Sequence, residues 1–272
     1  MSQVEALLRD MAGSGGYFQW LIHQPMGVIL LVIVGGGLVF IVGGVLLANN
    51  YLTPEELISN TLVGTFKFMF LAQIFTGVLA FIMVEAGNRY ANAEAYVDTE
   101  IRGLRLLSRV VSHMPLENQT RFGDALKEYA KSVAETEWPM MASGDDSPIS
   151  RAAFRRMLGV YFSFNPVDVS DRSVVAMGNL AVAMAVEART NRLNNNVSRE
   201  LSNFIWLSLL GLVVITAMFN WFFGTRGLRS QVAMGIALGS SILTCVFIVF
   251  LLANPFAGDT AIPPTPFLEL AG

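Results

Sequence analysis

Residues 62–114 constrain this chain more than any other stretch. They hold no proline and no cluster of turn residues. The first part, 62–84, is apolar and long enough to cross a bilayer core, which takes about 20 helical residues. The second part, 85–114, is charged and amphipathic. There Tyr90, Ala93, Val97, Ile101, Leu104, Leu107 and Val111 recur at three- and four-residue spacing. The pattern predicts one helix that crosses a membrane and continues into water as the first strut of a soluble domain.

Three more segments have the apolar length of a span. Residues 27–48 carry no charge and hold Gly35, Gly36, Gly37, Gly43 and Gly44. Glycine there suits close helix packing, although it also allows a bend or a water-lined path. Residues 201–223 and 231–253 are the other two. The last includes Gly235 and Gly239, a small-residue pair at the spacing that lets membrane helices approach. Before the first span, Tyr17, Phe18, Trp20 and His23 form an aromatic anchor of the interfacial kind. Glu5 and Asp10 in that region argue against a cleavable leader. Thr53-Pro54-Glu55-Glu56 reads as a helix start: an N-cap, a proline at the first position and acids on the positive end.

The expected fold is therefore an all-α membrane protein with four transmembrane helices. Helices 2 and 3 extend into a helical cytosolic domain. The expected parts are an N-terminal interfacial segment (1–26), transmembrane helices 1 and 2 (27–84), the helical cytosolic domain (85–201), transmembrane helices 3 and 4 (202–253) and a Pro/Phe-rich tail (254–272). Within the domain, Pro115 opens a helix that buries Phe122, Leu126, Tyr129, Val133 and Trp138, and Pro139 ends it. Gly144-Asp145-Asp146 is a solvated turn rather than a cation site. Ser147-Pro148 opens the next helix, and Asn165-Pro166 breaks it. Ser170 or Asp171 caps the last long helix, whose core face is Val174, Met177, Leu180, Met184 and Ala188. The tail lies in extended form against the domain, because Phe256, Phe267 and Leu268 would otherwise be exposed.

The residue inventory excludes several functions. Of 272 residues, 53% are hydrophobic and 14% charged, where a soluble protein carries about 25% charge. Fourteen of the 18 Lys and Arg lie between 85 and 202, against the same number of acids between 94 and 200. No basic surface for nucleic acid results. One cysteine, Cys245, and two distant histidines, His23 and His113, support no metal site, triad or cofactor. No catalytic residue is assigned, and an enzyme is not expected.

Polar residues in the second span are the candidate functional positions. Thr65, Ala72, Thr76, Ala80 and Gly87 fall on one narrow face at 100° per residue. Lys67 lies roughly opposite. It either snorkels to the interface or faces a pore and draws anions. Phe66, Phe70 and Ile74 could form an apolar neck, and Gln73 adds an amide inside the span. Arginines at 89, 102, 105, 189, 192 and 199 flank the domain side, against Arg226 and Arg229 on the other. That bias places the domain and both termini in the cytoplasm.

Several motifs outside the spans carry a family resemblance. They are Tyr90, Ala93, Val97, Glu100 and Leu104; then Tyr129, Val133 and Glu137-Trp138-Pro139-Met140. Glu187-Ala188-Arg189 with Arg192-Leu193 follows. The last is Asn254-Pro255-Phe256-Ala257-Gly258, with Pro264, Pro266 and Phe267. From the second span to the C-terminus the chain resembles the bestrophin-like domain family, mostly bacterial membrane proteins. That resemblance implies a distant similarity to bestrophins, which are pentameric anion channels with four membrane segments and a helical cytosolic domain. Ala253-Asn254 stands where the family commonly has Asp-Arg, so a charged tail interaction is missing or replaced. The acidic calcium clasp of animal bestrophins is not found.

Two functions follow. One is an oligomeric, bestrophin-like ion channel for anions in a bacterial inner membrane, with the lipid bilayer, further copies of the chain and small inorganic ions as partners. The alternative is a non-conducting structural or regulatory membrane subunit. A transporter would show an inverted repeat, and none is convincing.

Overall fold

The computed structural model describes residues 21–59, 61–143, 145–164, 172–197, 203–222 and 227–272. The aromatic anchor apart from His23, the break at Asn165-Pro166, the cap at Ser170 or Asp171, and Arg199 and Arg226 lie outside them. All regular structure among the described residues is helical. We number the helices α1 (Met26–Tyr51), α2 (Pro54–Ser59), α3 (Thr61–Val111), α4 (Leu116–Ser132), α5 (Trp138–Ala142), α6 (Pro148–Phe162), α7 (Arg172–Val197), α8 (Asn203–Trp221), α9 (Leu228–Leu252) and α10 (Thr265–Ala271).

The 51-residue α3 is the continuous helix expected of residues 62–114, ending three residues early. α1, α3 and α9 contain stretches long and apolar enough to cross a membrane. The apolar helix Ile205–Trp221 within α8 is shorter. Thr53 opens α2 with a reciprocal cap: its N–H donates to Glu56 Oε2 at 2.8 Å, and the Glu56 N–H donates back to Thr53 Oγ1 at 3.3 Å. The Thr53 N–H and the Thr53 hydroxyl, which donates to the same oxygen at 2.9 Å, hold the Glu56 carboxyl below its usual value.

The chain forms two compact units. One comprises Met1–Asn88 and Glu200–Ala253, the other Arg89–Arg199 and Asn254–Gly272. In the first, small residues set the packing. A methyl group on Gly37 would strike the Leu243 side chain, on Gly44 the Trp221 indole, and on Gly239 the tip of Ile41. Gly37 and Gly44 of α1 and the Gly235–Gly239 pair of α9 thus serve close helix approach, whereas a Cβ on Gly36 or Gly43 would meet nothing within 4 Å. A hydrogen bond between side-chain amides crosses the bundle: Asn49 Nδ2 donates to Gln231 Oε1 at 3.0 Å.

The second unit has an ordinary apolar core. Val97, Ile101, Leu104, Leu107 and Val111 of α3 meet Phe122, Leu126, Tyr129 and Val133, Phe154, Met157 and Tyr161 of α6, and Ala181 and Ala185 of α7. Gly103 brings α3 onto α7 so closely that a Cβ there would stand 2.9 Å from the Ala185 nitrogen.

Three expectations change here. First, Pro139 does not end the helix after Pro115. The chain passes from α4 through a π turn, Val133–Glu137, directly into α5. A proline inside a helix lacks its N–H and crowds the preceding turn, and a wider turn accommodates it. The Ser132 carbonyl accepts from Ser150 Oγ at 2.8 Å and also from Thr136 Oγ1. Second, the expected core face of α7 holds only in part: Ala188 is buried and Val174 and Met184 are half-buried. Met177 and Leu180 are exposed, while Gly178, Ala181, Val182, Ala185, Ala188, Arg189 and Arg192 are buried. Small residues win that face because α3 approaches too closely for large ones. Third, the tail lies on this unit and buries Phe256 and Phe267, but Leu268 is exposed, and residues Thr265–Ala271 are not extended but form α10, packed on α4. Asp146, in the expected solvated turn, pairs with Arg151.

Candidate functional site

Two groups of residues are candidates: the polar and aromatic positions of the second span, and the motif residues of the second unit.

Thr65, Phe66, Lys67, Phe70, Gln73, Ile74 and Thr76 are all exposed. α3 instead packs its own unit with Phe75, Ile82 and Ala86, on the other side of the helix. Phe66 and Phe70 keep 70% and 72% of their surface open, which decides that neither serves packing within the chain. Of the narrow face, Thr65, Thr76 and Ala80 are exposed, whereas Ala72 and Gly87 are partly covered. The rival apolar and polar faces thus belong to one broad open arc. Lys67 has no ion-pair partner among the described residues.

The motif residues do the opposite and converge. Glu100 comes from α3, Tyr129 from α4, Glu137 from the π turn, Arg189 and Arg192 from one face of α7. Arg189 forms a two-pronged pair with Glu137, at 2.8 Å to Oε1 and 2.6 Å to Oε2. Arg192 donates from Nε to Glu100 Oε2 at 2.8 Å and from Nη2 to Glu137 Oε1 at 2.9 Å. The Tyr129 hydroxyl donates to Glu100 Oε1 and accepts from Arg189 at 2.7 Å. All four carboxylate oxygens are therefore engaged, and two positive charges balance two negative ones. Both glutamates and Arg192 are fully buried.

Aromatic rings and one sulfur complete the enclosure. Arg189 lies over Tyr129 and Phe154, and Arg192 over Trp138 and Phe267, at 5.2–5.4 Å to the ring centres. Met141 Sδ sits 2.9 Å from an Arg192 nitrogen. Burial works against the charge on Arg192, and Glu100 and Glu137 outweigh it, so its pKa is raised. Burial also opposes the charge on Arg189, which Tyr129 and Glu137 overcome. Burial pushes the Tyr129 hydroxyl well above its ordinary value, and the Glu100 charge adds to that.

This cluster has no free acid or base and no open side, so it acts as a clamp. It also seats the tail. The Trp138 indole N–H donates to the Ile262 carbonyl at 2.8 Å, and the Tyr90 hydroxyl donates to the Thr260 carbonyl at 2.9 Å. Pro255 and Phe256 are buried, with Phe256 against Trp138. Gly258 has φ 76°, a left-handed turn that suits glycine. Of the motif positions named from sequence, Glu100, Glu137, Arg189 and Arg192 form the clamp, Tyr90 and Trp138 hold the tail, and Pro255, Phe256 and Gly258 belong to that tail, whereas Pro139 is exposed in α5. Sequence reasoning missed Met141, Phe154 and Ile262, whose roles need contacts between helices distant in the chain.

A helical membrane unit joined to a helical unit with a buried charge clamp defines a class of integral membrane protein. The model of the Bestrophin-like domain family matches residues 31–267, and the chain belongs to that family. A crystal structure described as that of a membrane protein shares the fold. Its TM-score is 0.65 at 14% identity, over 88% of this chain and 98% of the other. No curated protein matches the sequence.

Proposed function

We propose that this protein is a subunit of an oligomeric channel that conducts small inorganic anions through a bacterial inner membrane. Its domain and both termini are cytoplasmic, and the assembly is a ring of five by analogy with bestrophins. Family membership supports a channel-like protein. The observation that carries the reading is the open arc of α3. An ammonium and an amide, Lys67 and Gln73, lie within the apolar helix, exposed and unused by packing inside the chain. Lipid solvates such groups poorly, so they favour water or a neighbouring subunit. Phe66, Phe70 and Ile74 on the same arc suit an apolar constriction. Arg189 and Arg192 are occupied inside the clamp, so the orientation rests on Arg89, Arg102 and Arg105. No residue is offered for catalysis.

Flux from liposomes holding the purified full chain tests this. Chloride efflux is expected to exceed potassium efflux from a verified oligomer. Absence of both fluxes overturns the channel and favours the non-conducting subunit. Lys67→Ala is expected to weaken anion preference, and an unchanged preference removes Lys67 from the path.

A further inference from the structure

The second unit carries an uneven charge distribution that its near-neutral composition hides. On α3, Arg102, Arg105 and Arg109 follow at three and four residues, so they share one face. All three are exposed. Their span along the axis is about 10 Å at 1.5 Å per residue. Ser108, Ser112 and His113 are also exposed there, and no acid interrupts residues 101–113.

Like charges on adjacent turns oppose helix formation unless something neutralises them. Elsewhere in the unit Arg156 meets Glu128 at 2.6 Å and Arg151 meets Asp146, while Arg121 and Arg155 stand singly on α4 and α6, without a carboxylate partner among the described residues. On this stripe only the middle arginine has such a partner, where Arg105 reaches Glu269 of the tail at 2.9 Å. Arg102 donates to the Thr99 hydroxyl at 2.8 Å; the exposed Asp98 lies one turn before it on the same face but makes no ion pair with it among the described residues. Arg109 has no carboxylate partner among the described residues. Its place in the last turn suits the helix dipole, but that accounts for one arginine of three.

We infer that the Arg102–Arg105–Arg109 stripe of α3 is a weak binding surface for small inorganic anions, which concentrates them at the water-facing part of this helix. The inference rests on the anion-channel reading and deepens it, by naming the residues that would raise the local anion concentration. Guanidinium groups serve this purpose because they stay charged at any physiological pH and offer several donors. The attraction is one of field rather than of a closed pocket, so it weakens as salt screens it.

The test uses the purified full chain in nanodiscs and chloride as the probe, read by ³⁵Cl NMR line broadening. The double variant R102Q/R109Q is expected to lose at least half of the protein-dependent broadening, with circular dichroism unchanged. The control R121Q/R155Q removes two other exposed arginines of the unit and is expected to leave it intact. Equal broadening in wild type and R102Q/R109Q, or an equal loss in the control, overturns the inference. If the protein conducts, R102Q/R109Q is also expected to lower chloride conductance about twofold at 20 mM salt, with the difference gone at 1 M. A conductance unchanged at low salt overturns it as well. If the wild type does not conduct, the channel reading falls, and the NMR comparison still decides the stripe.

Discussion

The two units solve the same problem, close helix packing, with different chemistry. The membrane unit uses what it leaves out. Gly37, Gly44 and Gly239 make room for Leu243, Trp221 and Ile41, and one amide pair, Asn49 with Gln231, adds direction. The second unit uses what it puts in: two glutamates, two arginines and a tyrosine, sealed by aromatic rings. Lipid gives no hydrophobic drive for helices to associate, so shape decides there. Water gives that drive freely to the second unit, and its buried charges restrict how the helices fit. A half-filled charge cluster would be worse than none, because the remaining charge stays buried without a partner.

Glu137→Ala should test that contrast most severely. It strips both arginines of a carboxylate at once and should cost about 3–5 kcal/mol. Thermal unfolding followed by tryptophan fluorescence would report it, and a shift of only a degree or two would contradict the clamp.

The glycines permit a comparison across units. A Cβ at Gly103 meets backbone of α7, whereas at Gly37 it meets the movable end of Leu243. Gly103→Ala should therefore cost about 1–3 kcal/mol, and Gly37→Ala distinctly less. Equal losses would mean that backbone and side-chain contacts do not differ here.

Tyr129→Phe should cost about 1–3 kcal/mol, since Glu100 and Arg189 each lose a buried partner. It should also change the alkaline behaviour. The folded chain keeps the Tyr129 proton at pH values where an unfolded tyrosine, near pH 10, releases it. Wild-type stability is then fully present below about pH 10 and is lost as pH rises beyond it. The variant should lose less over that range, with a remainder from Tyr161, which burial also raises. Parallel denaturation curves from pH 8 to 11 would refute this.

Gln231→Leu should have the smallest effect, about 0.6 kcal/mol, typical of an interhelical bond in a membrane. A loss as large as that of Glu137→Ala would erase the distinction between the units.

The helices were legible because period and apolar length are local properties. α3 could be read from 62–114 almost to the residue, and the starts at Thr53, Pro115 and Ser147 from their capping residues. The glutamates and arginines of the clamp were visible only as motif positions. Their pairing joins residues 52–92 apart, and no local pattern encodes that. The buried face of α7 was misread in part for the same reason. Nothing in 174–188 says that Gly103 will bring another backbone so near. The pore candidates were found by polarity alone, and their exposure follows from Phe75, Ile82 and Ala86 taking the packed side.

The π turn at Val133–Glu137 works as a spare tooth in a ratchet. It lodges one more residue than an α-helix would, and so sets the angular phase of everything that follows. Removing a single residue, Ala134 for instance, would let the helix close up. Glu137 and Trp138 would then keep nearly their present phase, because the residue lost is the one the wide turn absorbs; closing the turn with all residues kept would swing each by about 100°. The phase of the clamp residues is thus set jointly by the length of this stretch and the width of one turn, so neither can change alone without moving Glu137 away from Arg189 and Arg192.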